Sequence, residues 1–366
     1  MGDIDRAWLV LANAWVRVRE YRALVERFGD AVSIIRQPVS RLRDAGLADD
    51  KADAIAAPDT SHIDSELDWL SAERHHIVSC EDAAYPELLL QISGSPLLLY
   101  VNGDPTHLQM PAIAIVGSRN PTQGGARNAF SFSEHLARAG FNIVSGLAEG
   151  IDTAAHRGAL AADRPTVAFL GHGIDRVYPA SNRDLAHEIA AEGALVSEYP
   201  LGTPPDKFHF PERNRLISGI SFGTLVVEAA RRSGSLITAR LAAEQGREVF
   251  ALPGSIHNPL ARGCHELIRQ GAKLVETAAD IVNELAPLAG HVLQNTMEST
   301  TKQELFESDN QEYVELKKHL SHDPISADEL ADHSGLTIEQ VSSILLILEL
   351  RGEIESLSGG RYALHT

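Results

Sequence analysis

Cysteine, lysine and aromatic residues are all scarce in this chain of 366 residues. The two cysteines, Cys80 and Cys264, lie far apart and form no CxxC pair. This pattern argues against a zinc site and is typical of a reducing compartment. We therefore expect no bound metal and no structural disulfide.

Long apolar runs are missing as well. No run approaches the ~20 apolar residues of a membrane span. The N-terminal residues Met1 to Asp5 lack the basic and apolar regions of a secretory signal. We expect a cytoplasmic protein without membrane insertion.

Positive charge is the third shortage. The chain has 32 Lys and Arg against 50 Asp and Glu, a net charge of -18. Such an acidic chain is not a uniformly basic nucleic-acid binder, but a local basic site is compatible with it.

Among the features present, the segment 112–119 is the one around which we expect the fold to be organised. Five consecutive apolar residues, Ala112 to Val116, predict a strand buried on both faces, as in a parallel sheet. Gly117, Ser118 and Arg119 follow, and a helical pattern begins after Pro121. The turn of such a strand–helix unit lies where open α/β sheets bind ligands, and Arg119 adds a cation suited to phosphate.

Strands and helices alternate through the rest of the central region. We predict further strands at 97–101, 141–144, 166–170, 195–196, 224–227 and 248–252, with helices around 153–162, 185–191, 237–243 and 266–270. This alternation predicts an α/β fold with a doubly wound, mostly parallel sheet, and the glycines after its strands predict loops that converge on one crevice.

Two smaller domains flank this sheet. Residues 1–72 carry apolar residues at helical spacing and predict a small helical, SAM-like domain before the sheet domain of 73–288. Residues 289–312 are polar and predict a linker. In 313–366, Ser326 and Glu329 form a capping box, and the pattern helix, helix, turn, helix, hairpin predicts a winged helix.

The segment around Lys207 has a composition unlike the rest of the chain. Lys207 is the only lysine between Lys51 and Lys273, and Phe208 and Phe210 lie within three residues of it. From 206 to 269 there are nine Lys and Arg against six Asp and Glu, a net of +3. Cations interleaved with aromatic rings suit single-stranded nucleic acid. We expect one of the two phenylalanines in the core and one exposed.

Further glycine loops open helices and offer backbone donors. Ser145-Gly146 and Ser233-Gly234-Ser235 are loops of this kind. Asp152 and His156 are four residues apart and form either an acid/base pair or an ion pair or cap, and we favour the second interpretation. Gly171-His172-Gly173 lacks the third glycine of a dinucleotide fingerprint, so we expect no cofactor.

These motifs together resemble the DNA-processing protein A (DprA/Smf) family. The resemblance rests on the segments 117–119, 145–152, 210–219, 233–239, 252–254 and 263–271. It implies a Rossmann-like domain that binds single-stranded DNA, forms a homodimer, and helps to load the RecA recombinase in natural transformation and recombination. It also implies DNA contacts at Arg119, Lys207 and Phe210. Including the glycine loops and the helix after Phe210, the residues expected to contact DNA are Gly117, Ser118, Arg119, Ser145, Gly146, Lys207, Phe210, Arg213, Asn214, Arg215, Ser233, Gly234 and Ser235.

Two rival functions are less well supported. Phosphoribohydrolases with a similar core carry a catalytic glutamate where this chain has Val227, and Glu228 is one residue away, on the other face of a strand. A transcription factor is disfavoured because 313–366 has four basic and nine acidic residues. We therefore expect a single-strand binding protein that is not an enzyme, with a winged helix that contacts protein.

Overall fold

A computed structural model describes residues 2–289 and, further on, residues 316, 318–320, 325–337, 341, 344–345, 348, 354–357 and 361–364. The chain divides into two compact units, Met1–Leu293 and Gln294–Thr366. Residues 290–312 of the predicted linker and half of the predicted first helix of the winged helix, 313–320, lie outside the described residues. The domain boundary at residue 72 stays a prediction.

Six helices form the N-terminal part of the first unit. They are α1 (Asp3–Asn13), α2 (Val18–Phe28), α3 (Ala31–Ile35), α4 (Val39–Asp44), α5 (Asp49–Ala56) and α6 (Thr60–Trp69). Leu9, Leu11 and Leu24 are buried. In α2, Tyr21 and Leu24 are buried three residues apart, at the predicted helical spacing, whereas in α1 the whole run from Ala7 to Leu11 is buried. These side chains belong to the same hydrophobic cluster as Leu98 and Leu195 of the sheet.

The sheet of this unit has nine strands. They are β1 (His75–Ser79), β2 (Leu98–Gly103), β3 (Ala112–Gly117), β4 (Asn142–Ser145), β5 (Thr166–Leu170), β6 (Ala194–Ser197), β7 (Gly223–Val227), β8 (Glu248–Ala251) and β9 (Lys273–Leu274). Their spatial order is β1-β2-β6-β5-β4-β3-β7-β8-β9. Strands β3 to β9 run parallel, and β1 and β2 pair antiparallel at one end. The predicted mostly parallel, doubly wound α/β sheet is confirmed.

Strand β3 lies in the middle of this sheet and is buried on both faces. Ile113 and Ile115 pack into one hydrophobic cluster, whereas Ala114 and Val116 pack into another on the opposite face. Each fully buried isoleucine stabilises the fold by about 1.5–3 kcal/mol. An uninterrupted apolar run is what a strand covered on both sides requires.

Helices connect the parallel strands and cover both faces. They are α7 (Glu87–Leu90), α8 (Gln123–Arg138), α9 (Ile151–Ala161), α10 (Arg183–Glu192), α11 (His209–Ile220), α12 (Ser235–Glu244), α13 (Arg262–Arg269) and α14 (Ala278–Ala289). From β3 the chain adds β4, β5 and β6 on one side, and then returns to add β7, β8 and β9 on the other. The strand order therefore reverses between β3 and β7, and such a reversal leaves a crevice beyond the carboxyl ends of the strands.

The second unit carries the elements of a winged helix. Its described elements are α15 (Ala327–Ser334), β10 (Ile325–Ser326), β11 (Ile354–Leu357) and β12 (Arg361–Leu364). The predicted capping box is confirmed, because Ser326 accepts a hydrogen bond from the Glu329 backbone and Glu329 accepts one in return. The strands pair antiparallel in the order β10-β12-β11.

No described helix combines the length and the apolar character that crossing a membrane demands. Within the same residues, no three His, Cys, Asp or Glu side chains are grouped so that they could hold a metal ion.

Candidate nucleic-acid interface

A crevice of about 730 Å³ opens at the carboxyl ends of the central strands, where the strand order reverses. The loops after β3 and β7 form two of its walls, and the segment leading into α11 forms a third. Of the residues predicted to contact DNA, those that line it are Gly117, Ser118, Arg119, Lys207, Phe210, Arg213, Asn214, Ser233, Gly234 and Ser235.

The turn after β3 is fixed by close backbone contacts. A side chain at Gly117 would place its Cβ 2.0 Å from the carbonyl oxygen of Val227, so only glycine fits there. The Ser118 N–H donates to the backbone oxygen of Glu228 at 2.7 Å, which ties this turn to the end of β7. Arg119 comes next in the chain and is exposed, with its guanidinium carbon 5.6 Å from the centroid of the Phe210 ring.

The segment before α11 presents the two phenylalanines differently from the expectation. Neither of them is in the core. Phe208 is 67% exposed, with the Lys207 Nζ 4.9 Å from its ring centroid. Phe210 is half-buried and lies on the crevice wall, 5.6 Å from the ring of Tyr178. The Asp206 carboxylate accepts the Phe208 N–H at 2.8 Å and so holds the start of this segment.

Arg213 lies buried at the floor of the crevice and does not extend into solvent. It is 3% exposed, and its guanidinium donates to the backbone oxygens of Gly146 and Phe169. Burial lowers the pKa of Arg213 to about 10. A side chain on Gly146 would clash with this guanidinium at 2.1 Å. The structure therefore makes Arg213 a buried cation that joins two strand ends, and its expected DNA contact stays a prediction.

Arg215 lies outside the crevice. Its guanidinium pairs with Glu198, which also accepts a hydrogen bond from Arg17 Nη1 at 2.7 Å. The Glu198 side chain is only 2% exposed. Its charge therefore joins α11 to the N-terminal helices, and the expected DNA contact of Arg215 stays a prediction.

The Ser145-Gly146 loop also differs from the expectation. The Ser145 side chain is buried and donates to the Ile115 oxygen at 2.7 Å. The N–H groups of Gly146 and Ala148 donate to the Asp152 carboxylate at 3.1 and 3.3 Å. These donors are occupied and are not free for phosphate. Burial raises the pKa of Asp152, and the nearby charge of Arg213 opposes that rise.

Asp152 and His156 do not form an acid/base pair. Asp152 caps the loop amides, whereas the His156 Nδ1 lies 2.8 Å from the Thr166 Oγ1. Because Thr166 already donates to the Ile143 oxygen at 2.7 Å, His156 is the donor and its Nε2 is unprotonated. Burial lowers the pKa of His156 to about 3, so the ring is neutral.

The third loop lies at the start of α12. The Oγ atoms of Ser233 and Ser235 are 2.7 Å apart, and both residues line the crevice together with Gly234. Asn214, one turn into α11, faces the same space. Hydroxyl and amide groups at a helix start suit a phosphate oxygen.

Tyr178, Arg232 and Ile237 are among the lining residues that sequence reasoning missed. Tyr178 is 45% exposed beside Phe210, at the end of the long loop after β5. Arg232 directly precedes the Ser233 loop, so its position in the crevice could have been predicted from the sequence. The position of Tyr178 depends on how the 171–182 loop folds back, which has no local pattern in the sequence.

The charge of the crevice contrasts with that of the chain. Among the described residues, its lining includes the cations Arg119, Lys207, Arg213 and Arg232 and a single carboxylate, Asp152, which is buried. Positive charge is therefore concentrated at this site in a molecule of net charge -18. Anions are attracted to such a site, and exposed rings beside it favour anions that carry flat bases.

Glu228, the residue nearest to a hydrolase glutamate, points away from the crevice. Its carboxylate accepts the N–H and the hydroxyl of Thr122 at 2.8 and 2.6 Å, and the Asn258 amide at 3.2 Å. It thus caps the start of α8. The described lining of the crevice contains serine hydroxyls but no histidine to activate them.

Comparison with known proteins agrees with this geometry. Residues 76–286 match the family model described as DNA recombination-mediator protein A, and residues 302–360 match the DprA winged helix domain. The chain is 38% identical to Protein Smf of Escherichia coli (strain K12) over 96% of both chains.

Solved structures give the same result. The X-ray structure of DNA processing protein A from Streptococcus pneumoniae superposes with a TM-score of 0.67 at 36% identity, covering 76% of this chain and 97% of that one. A structure of DNA processing protein A from Helicobacter pylori, which concerns its single-stranded DNA binding mode, matches with a TM-score of 0.53 at 31% identity, over 58% of this chain and 96% of that one.

Proposed function

Because the chain belongs to the DNA recombination-mediator protein A family, we propose that it acts in recombination by binding single-stranded DNA in the crevice between β3 and β7. The strand is held by its phosphates and by stacked bases and is not chemically altered. The protein protects incoming or recombining strands, works as a homodimer and helps to load RecA.

One observation carries this proposal. Arg119, Lys207 and Arg232 bring exposed cations to a crevice that also presents the ring of Phe210. A cationic groove with stacking rings is the combination by which proteins bind single strands without reading sequence. Duplex DNA hides its bases inside the stack, so the rings would gain nothing from it.

The likeness to relatives supports the choice of ligand. The H. pylori relative is described as binding single-stranded DNA, and the match covers 58% of the present chain. Homodimer formation and RecA loading rest on the family resemblance alone.

A gel shift with single-stranded and duplex oligonucleotides of equal length and mixed sequence tests the proposal. We expect tighter binding to the single strand. Arg119→Ala should weaken binding of the single strand, because it removes an exposed cation that can contact phosphate. Equal or tighter binding of the duplex by the unmodified protein would contradict the assignment.

The absence of turnover is tested separately. The protein should release no free base from nucleoside monophosphates, since Glu228 is engaged at the start of α8. Base release that disappears in Glu228→Gln would instead establish a hydrolase.

A further inference from the structure

Trp15 is an exposed aromatic residue in a strained conformation. It follows α1 with φ 55° and is 38% exposed. Glycine or asparagine adopts this left-handed conformation at less cost. Leu147 and Glu228 share the conformation, but Leu147 is buried and Glu228 caps a helix. Because Trp15 is more exposed than Leu147, burial offsets less of its backbone strain. A strained residue without such compensation is a candidate for a functional role.

The contacts of Trp15 place it next to the proposed DNA site. Its ring meets Tyr199 edge-on at 5.7 Å, and Tyr199 stacks on His209 at 4.4 Å. His209 is the residue between Phe208 and Phe210. Two ring contacts therefore connect Trp15 to the segment that lines the crevice.

Trp15 also lies on the same edge of the sheet. Tyr199 follows the carboxyl end of β6, just as Arg232 follows β7 and Arg119 follows β3. The strands from β7 to β6 span roughly 20 Å at about 4.8 Å per strand. Along this edge the exposed ring of Trp15 lies beyond the crevice, and the Arg17 guanidinium, which pairs with Glu198, lies 5.3 Å from its centroid.

We propose that Trp15 is a second base-stacking site, which binds the part of a single strand that leaves the crevice past Lys207 and Phe208. This inference rests on the proposed function of the crevice and assigns a DNA-binding role to the N-terminal helices. An exposed aromatic ring offers a face on which a base can stack whatever its sequence.

The experiment compares oligothymidines of about four and about sixteen nucleotides, which bracket the usual site sizes. In Trp15→Asn, the 16-mer should bind about five- to a hundredfold more weakly, the range for the removal of one stacked base. The 4-mer, which occupies only the crevice, should bind as before. Asparagine suits the left-handed backbone, so the variant is expected to fold.

Tryptophan fluorescence gives a readout that a purely structural role would not move. The chain has three tryptophans. Trp8 is 6% exposed, and Trp69 stacks on His75 at 4.1 Å. The 16-mer should quench the emission of the unmodified protein, and this quenching should persist in Trp69→Phe and vanish in Trp15→Phe, which keeps a stacking ring and most of the affinity.

Two results would overturn the proposal. If Trp15→Asn weakens both oligonucleotides alike, Trp15 only supports Tyr199. If it weakens neither and no quenching occurs, no base reaches it. Arg119→Ala distinguishes a failure of the Trp15 proposal from a failure of the crevice proposal. If Arg119→Ala leaves the affinity for the 4-mer intact, the crevice is not the DNA site, and both proposals fall.

Discussion

At the scale of single residues, Arg119, Lys207 and Phe210 are expected to bind DNA in different ways. Arg119→Ala and Lys207→Ala should weaken binding to every sequence alike and reduce the salt slope by about 0.7 for each phosphate that is no longer neutralised. Phe210→Ala should cost about 1–3 kcal/mol of binding free energy with almost no change in the slope, because stacking releases no counterions. Fluorescence anisotropy at several salt concentrations measures both quantities.

A thermal melt of each variant is the control for this comparison. Phe210 contacts Tyr178 and Arg119 and is half-buried, so an unfolded Phe210→Ala would leave Phe208 as the better stacking candidate. If Arg119→Ala and Lys207→Ala both keep full affinity at moderate salt, the phosphates bind elsewhere.

His156 should make the fold sensitive to acid. Burial lowers its pKa to about 3 in the folded protein, while an unfolded histidine titrates near 6.5. Between these values the unfolded chain binds one more proton, so stability falls as the pH drops from about 6.5 toward 3. The slope is at most about 1.4 kcal/mol per pH unit. Urea unfolding from pH 4.5 to 7 should show a flatter dependence in His156→Gln than in the unmodified protein; identical profiles would contradict the assignment.

Local patterns identified some site residues and misplaced others for physical reasons. Arg119 stands out in the sequence because it follows a buried strand and a glycine turn, and Lys207 because it is an isolated lysine beside phenylalanines. Arg213 and Arg215 lie on one helix, where residues two apart point about 200° away from each other. At most one of them could face the crevice, but which one depends on the packing of α11 against the sheet. That packing places Arg213 beneath the crevice and Arg215 beside Glu198.

At the scale of elements, Arg215 and Arg232 are expected to have opposite effects on stability and on DNA binding. Arg215 holds α11 through its pair with Glu198, whereas Arg232 lines the crevice. Arg215→Met should lower the free energy of unfolding by about 1–3 kcal/mol, because it removes a charged hydrogen bond to buried Glu198. Its salt slope for DNA should not change. Arg232→Met, at the exposed edge of the crevice, should leave stability within about 0.5 kcal/mol and reduce the slope.

Urea unfolding and salt-dependent anisotropy on the same preparations check the pair. A reduced slope in Arg215→Met would show that this residue contacts phosphate after all.

The strands were predictable where they are buried on both faces. For 112–116 and 166–170 the mainly apolar run fixes both the element and its bounds within a residue, because a strand covered on both faces is mostly apolar. Strands β1 and β9 were missed. β1 starts with His75 and His76 at the sheet edge, and β9 has two exposed residues, so their identity as strands depends on neighbours distant in the sequence.

At the scale of the whole molecule, the winged helix should be dispensable for binding single strands. Residues 313–366 have a net charge of -5, and negative charge repels phosphate. A chain that ends at residue 312 should retain single-strand affinity within about threefold, which corresponds to less than about 0.7 kcal/mol. Anisotropy with the same oligonucleotide for both chains measures this. A large decrease would place part of the DNA site in that unit.

The core shared by the N-terminal helices and the sheet limits how this protein can change by descent. Leu98 and Leu195 lie in one cluster with the side chains of those helices, and the Tyr100 hydroxyl donates to Glu66 of α6 at 2.7 Å. A lineage without the helices would expose this face of the sheet to water. Related chains that lack the helical segment are therefore expected to carry polar residues at the sheet positions that it covers here. Chains that keep the helices are expected to keep apolar residues there.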